Sequence, residues 1–327
     1  MNFQTLQKIQ DADYYIDIAF RRGKKEAGKL KVTGDRLKKV TIIESERIKA
    51  VNSVIHGELS SITRNFPQID ELPDFYLELV KCTVDYDKLK KSLGAVLWAD
   101  KQTSKFLRVY YGKIRASKDV KSIYEHKKSY YGRVSSILKQ IREQLVLLEE
   151  ARKILKRFPT VKTDLPTIVI AGFPNVGKTT LLRAITGSEP KIAPYPFTTQ
   201  NLMFGYVEKD GKKIQLIDTP GLLDRPLEKR NRVERQSILA LKYLANSMIF
   251  VIDPTETSGY DIEEQLELLE DVNSKFGIKT TIAINKRDVA DKNIVSRLKS
   301  RLRKFKSVEI SAEKNVGVKE LVEAIYE

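Results

Sequence analysis

Through the first 158 residues, apolar positions recur three and four apart and the prolines are confined to Pro67 and Pro73, which reads as helix following helix. The runs cover about 2–22, 35–65, 74–83, 85–116 and 118–157. Asp85 and Asp119 stand where N-caps belong, and the two prolines bracket a short break. Long helices joined by short connections predict an antiparallel bundle. Beyond Pro166 the period changes: IVIAG (168–172), KIQLIDT (213–219), SMIFVID (247–253), TTIAIN (280–285) and SVEIS (307–311) are short β-branched runs that alternate with helical patterns. That alternation predicts a mostly parallel sheet between helices. The fold class is therefore α+α/β, with a helical domain over 1–160, an α/β domain over 161–327, and FPTVKTDLPT (158–167) as the link.

At 327 residues the chain exceeds what one hydrophobic core usually fills, in keeping with two domains. Its formal charge of +16 is unevenly spread. Residues 1–163 hold 34 Lys and Arg against 20 Asp and Glu, a net of +14, while residues 164–327 hold 25 against 23. The helical part is thus the candidate for binding a polyanion. The chain has no run of the roughly 18–20 apolar residues that a membrane span requires. Its start, MNFQTLQKIQDADYY, has no signal-peptide core. No membrane partner and a cytoplasmic location are expected. The lone Cys82 excludes an intramolecular disulfide, and Cys82 with His56 and His126 is too small a set for a metal cluster.

GFPNVGKT (172–179) fits the phosphate-loop pattern, follows a predicted strand and opens a predicted helix. Gly172 and Gly177 let the loop through Phe173, Pro174, Asn175 and Val176 curl so that backbone N–H groups converge on phosphate oxygens. Lys178 supplies a cation to the β and γ oxygens, Thr179 offers its hydroxyl to Mg²⁺, and Thr180 continues the first turn. NKRD (285–288) chooses the base. Asp288 can accept from the guanine N1–H and exocyclic amine, a donor pair that adenine lacks, while Asn285 and the stem of Lys286 hold the loop and cover the base. In SAEK (311–314), Ser311, Ala312 and Glu313 close over the guanine, with the Ala312 N–H expected to face its O6. In DTPG (218–221), Asp218 is placed to hold Mg²⁺ through water and the Gly221 N–H to sense the γ-phosphate. Thr199 of PYPFTT (194–199) is expected to complete the Mg²⁺ shell. Together these motifs predict an enzyme that binds GTP and GDP with Mg²⁺ and hydrolyses GTP.

The set resembles the translation-factor-related GTPases, and GFPNVGKT paired with YPFTT and DTPGL is similar to the Obg family. Outside the nucleotide motifs, NFPQIDELPDFY (65–76), DYDKLKKSLG (85–94), the basic helix leading into LKRFPTV (155–161) and DRPLEKRNRVERQSILAL (224–241) resemble the nucleolar GTP-binding protein 1 family. The likeness covers most of the chain. It implies a helical N-terminal domain, a GTPase domain, and a role in assembling the large ribosomal subunit, with that particle or its precursor as partner. The chain departs from the eukaryotic members, which continue with a long C-terminal extension, and is expected to be a short form of the family. Asn175 resembles the potassium-coordinating asparagine of some related GTPases, which implies K⁺ as a second cation; ordering the loop is the other role open to it.

Many small GTPases follow DxxG with a glutamine that orients the attacking water, but that position here is Leu222. Catalysis is left to Lys178, Thr199, Gly221 and Asn175, and hydrolysis is expected to be slow without a ribosomal partner. Arg225, Arg230 and Arg232 are read as facing solvent or a partner, and both histidines as ordinary residues of the helical domain.

At 100° per residue over 118–157, Lys121, Lys128, Lys139, Arg142, Lys153 and Arg157 fall within an arc of about 60°. Val134, Ile137, Ile141, Leu145, Leu148 and Leu155 lie broadly opposite. The basic stripe is the candidate contact to rRNA; Tyr110, Tyr111, Tyr130 and Tyr131 could stack on bases, with core packing the favoured role. A GTP-dependent switch could turn the same stripe to an acidic partner protein. That reading stays open, as does the oligomeric state.

Overall fold

The computed structural model describes residues 3–195, 201–209, 211–224 and 231–326. The expected Mg²⁺ ligand Thr199, Arg225, Arg230 and the side chain of Arg232 lie outside them.

Six helices make up the N-terminal series: α1 (Ala12–Gly28), α2 (Arg36–Asn65), α3 (Asp74–Thr83), α4 (Tyr86–Ala116), α5 (Val120–Gln140) and α6 (Arg142–Leu155). Four of them start on an aspartate in extended backbone. Asp11, Asp35, Asp85 and Asp119 accept N–H bonds from Tyr14, Lys38, Lys88 and Ser122, each cap contributing about 1 kcal/mol. Two expectations are corrected. The first helix begins at Ala12 rather than residue 2, because Asp11 caps it there and Phe3–Thr5 forms a separate 3₁₀ turn. The run 118–157 is two helices, divided at Ile141, whose φ of −97° and ψ of 14° leave the helical region. Neither proline nor glycine marks that break, so its apolar spacing continues through it.

By contact, the chain forms two compact units: Gln4–Glu71 with Val84–Lys156, and Met1–Phe3 with Leu72–Thr83 and Arg157–Glu327. In the helical unit α2 packs on α1, α4 and α5, and α6 lies against α4. Ile48, Val51, Ile55, Leu59, Leu89, Val96, Ile123, Val134 and Leu145 form its core. Helix α3 reads as one of the N-terminal series, yet it belongs to the second unit. It buries Phe75, Tyr76, Leu79 and Val80 and packs on α8 (Arg232–Ala240). The Tyr76 hydroxyl donates to Pro159 O at 2.9 Å and accepts from Val161 N at 2.9 Å, tying α3 to the segment that leads into the sheet.

That sheet has seven strands: β1 (Thr167–Ala171), β2 (Lys191–Pro194), β3 (Asn201–Lys209), β4 (Lys212–Asp218), β5 (Ser247–Ile252), β6 (Lys279–Ile284) and β7 (Lys306–Glu309), in the order β2-β3-β4-β1-β5-β6-β7. The five strands legible in the sequence pair in parallel as β4-β1-β5-β6-β7, and their central members are buried, as continuous β-branched runs require. The antiparallel edge of β2 and β3 was not expected. β2 is mostly exposed and ends on a proline, so neither apolar alternation nor β propensity marks it. Helices α7 (Lys178–Thr186), α9 (Ile262–Phe276), α10 (Lys292–Arg301) and α11 (Val318–Tyr326) complete the unit. Among the described residues no helix is long and apolar enough to cross a membrane.

Candidate nucleotide site

The parallel strands β1, β4, β5 and β6 carry the phosphate loop, DTPG, Asp253 and NKRD just past their carboxyl ends, the edge where open α/β sheets bind ligands. Between β1 and α7 the loop makes two turns that only glycine tolerates. Gly172 has φ +132°, and a Cβ there would lie 2.6 Å from Val251 O; Gly177 has φ +99°, and its Cβ would lie 2.3 Å from Asn285 Nδ2. Asn175, exposed, takes the left-handed conformation at φ +62°, which asparagine accepts more readily than most residues. Its identity thus has a backbone reason that needs no cation.

Lys178 is folded back over the loop. Its Nζ donates to Gly172 O at 2.8 Å and Phe173 O at 2.6 Å. Burial pulls its pKa below the ordinary lysine value, with the charges of Asp218 and Asp224 opposing. Thr179 Oγ1 donates to Asp218 Oδ2 at 2.6 Å. Asp218 is 0% exposed, and burial raises its pKa against the opposing Thr179 bond and Lys178 charge. Its other oxygen, Oδ1, is buried with no hydrogen-bond partner among the described residues. A buried carboxylate oxygen left over, beside a hydroxyl on its partner oxygen, is the hard donor set that fits Mg²⁺.

Asn285 is the tie between the loops. Its Nδ2 donates to Val176 O at 2.8 Å, and its Oδ1 accepts from Ala312 N at 2.9 Å. The second bond corrects an expectation: the Ala312 N–H faces Asn285 rather than standing free for a guanine O6, since a buried N–H is paired with the acceptor in reach. Lys286, at φ +59°, sends its Nζ to Asp253 Oδ2 at 2.6 Å and Thr257 Oγ1 at 2.7 Å. Asp253 escaped the sequence reading, although it ends the β5 motif. Burial works against its charge, but the bonds from Lys286 and Thr255 prevail and hold its pKa below the usual value. It also accepts from Ser258 N at 2.9 Å, so one carboxylate organises the loop after β5 and anchors the NKRD lysine. Asp288 pairs with Lys314, which with Ser311 keeps its pKa low. Leu222 is 0% exposed. The glutamine position therefore points into the core, away from any attacking water.

The basic residues of the stripe are all exposed: Lys121, Lys128 and Lys139 on α5, Arg142 and Lys153 on α6, and Arg157 just beyond, in the other unit. Arg142 is engaged with Asp13. Because the helix divides at Ile141, one continuous 100° projection does not describe the stripe. Tyr110 and Tyr130 are buried and Tyr131 stacks on Phe20 with centroids 4.1 Å apart, so these rings serve packing.

A phosphate loop opening α7, with DTPG, NKRD and SAEK gathered at one sheet edge, defines a P-loop GTPase. Residues 3–162 match the family model of the NOG1 N-terminal helical domain, and residues 167–286 that of a 50S ribosome-binding GTPase. The chain belongs to the nucleolar GTP-binding protein 1 family. It is 42% identical to an uncharacterized protein of Methanocaldococcus jannaschii over 90% of this chain and 83% of that one. It is 32% identical to nucleolar GTP-binding protein 1 of Drosophila melanogaster over 88% of this chain, and spans 44% of that longer protein. A crystal structure of the putative nucleolar GTP-binding protein 1 of Plasmodium falciparum is 30% identical and has a TM-score of 0.46, covering 52% of this chain and 89% of that one.

Proposed function

We propose that this GTPase acts on the large ribosomal subunit or its precursor, holding rRNA through its basic helical unit and using nucleotide state to time its release. The observation that carries the nucleotide half is the Asn285 tie, which sets the Asp288 carboxylate and the phosphate loop at fixed spacing. GTP and GDP would lie with their phosphates on the N–H groups of 173–179, within reach of Lys178, and their base on Asp288 beneath the Lys286 stem. Gly221 senses the γ-phosphate and Ser311, Ala312 and Glu313 wall the base.

Thr179 and Asp218, with Thr199, would hold Mg²⁺, which neutralises charge building on the phosphoryl oxygens. Lys178 shares that task. With Leu222 buried, the position that carries glutamine in many small GTPases offers no group to orient water, so hydrolysis would wait for a partner or a second cation. Asn175, exposed on the loop, would offer its side-chain oxygen to K⁺ as that second cation.

The family names and the +14 balance of residues 1–163 support the ribosomal half. Crosslinking of the chain to ribosomal particles with GTP and with GDP, followed by identification of the contacts, tests it. RNA contacts from the helical unit that differ between nucleotides are expected; contacts confined to an acidic protein would replace rRNA as the partner.

A further inference from the structure

The only tryptophan of the chain, Trp98, lies on α4 with 42% of its surface exposed, beside Leu97 at 45%. Tryptophan is rarely left so open in a monomer surface, because its ring carries a large apolar area. Other exposed or half-exposed rings of this unit are covered: Lys49 lies over Tyr111 at 4.7 Å, and Lys127 over Tyr124 at 4.6 Å. Among the described residues no ring or cation packs on the Trp98 indole.

The surroundings suit an anion with a flat face. On a helix, Lys91, Gly94, Trp98, Lys101 and Lys105 fall on one side, and all are exposed. Gly94, one turn before Trp98 on that side, leaves open space, since a Cβ added there would meet nothing within 4 Å. Over its whole length α4 carries eight Lys and Arg against Asp87 and Asp100, and Asp100 is engaged with His56 Nδ1 at 2.8 Å.

We propose that this face of α4 is a stacking platform for an unpaired nucleobase of single-stranded RNA, with Trp98 under the base and Lys91, Lys101 and Lys105 on the flanking phosphates. The proposal rests on the RNA reading of the helical unit and adds a site away from the α5–α6 stripe. An indole stacks on every base, so the platform is sequence-tolerant. It requires a base free of its own helix, which excludes duplex RNA.

Because Trp98 is the sole indole, its emission reports the stacking directly. The full chain is titrated with a fluorescein-labelled single-stranded octanucleotide of uridine and with a duplex of equal length, reading Trp emission and label anisotropy together. Quenching of Trp98 by the single strand but not the duplex is expected. Trp98→Ala should weaken single-strand binding about tenfold, while Trp98→Phe keeps it within about threefold. Lys101→Ala with Lys105→Ala should reduce the salt slope of log K by about 0.7 for each phosphate no longer neutralised. Thermal unfolding of each variant confirms that it folds.

Unchanged affinity in Trp98→Ala, with binding lost instead on reversing Lys128 and Lys139, overturns the platform and leaves the RNA reading standing. No RNA binding by the parent chain overturns both. Trp98 emission that responds to ribosomal protein and ignores RNA also overturns the platform, since the face is then a protein-docking surface.

Discussion

The Lys314 ammonium lies 3.0 Å from Asp288 Oδ2, on the carboxylate that the proposed site offers to guanine. A base arriving there exchanges this ion pair for its own N1–H and exocyclic amine, so Asp288 must be ionised and free to accept two donors. GTP and GDP should bind far more tightly than ATP. Asp288→Asn should lose about tenfold or more of GDP affinity and gain xanthosine diphosphate, whose C2 carbonyl takes the amide donor. Fluorescent-nucleotide titration checks both; equal binding of ATP and GTP by the parent chain removes the base site.

Removing Lys178 separates ligand binding from folding. The ammonium is buried and its charged form is disfavoured there, so Lys178→Met should leave the thermal midpoint of the free protein equal or higher. GTP affinity should fall by about 1.5–3 kcal/mol with the loss of a charge-assisted bond, and turnover should vanish. Calorimetry and phosphate release on one preparation test the pair.

Asp218 carries the pH signature. Burial raises its folded pKa above the unfolded value of 3.8, so its stabilising contribution is fully present below that value and is lost as pH rises through the folded pKa. Above it, the charged Oδ1 is a buried anion without a partner among the described residues. Asp218→Asn should flatten this part of the stability–pH curve, and added Mg²⁺ with GDP should stabilise the parent chain more than the variant. Urea unfolding between about pH 3.5 and about pH 7 reads the difference.

Reversing Lys128 and Lys139 to Glu should weaken binding to large-subunit rRNA and reduce its salt slope by up to roughly 0.7–0.9 for each phosphate these cations neutralise. GDP affinity should be unaffected. Arg142 is a poorer test, because its reversal would also set two acids together with Asp13. An unchanged slope would mean that the stripe only faces water.

Hydrolysis by the isolated chain should be slow, faster on ribosomal particles, and faster in K⁺ than in Na⁺ at matched ionic strength, with Asn175→Ala abolishing the difference. Leu222→Gln should not rescue it, since the position is fully buried and an unpaired amide there costs about 1–3 kcal/mol. Steady-state phosphate release in the two salts decides the cation role.

The sequence by itself determined what depends on neighbours along the chain. The phosphate loop, DTPG, NKRD and SAEK are each contiguous, and the helical and strand periods placed them between elements. The aspartate caps at residues 85 and 119 were legible for the same reason, since an N-cap bonds a backbone group three positions on. Tertiary structure decided what depends on contacts across the chain. The Asn285 bond to Val176 spans 109 residues, Asp253 reaches Lys286 across 33, and the edge strand β2 is defined by its partner β3. Burial was equally beyond periodicity: it turned Leu222 inward, withdrew Tyr110 and Tyr130 from any RNA, and left Trp98 outside. A side chain's spacing fixes the face of its helix, but only the packing of the other elements decides whether that face is covered.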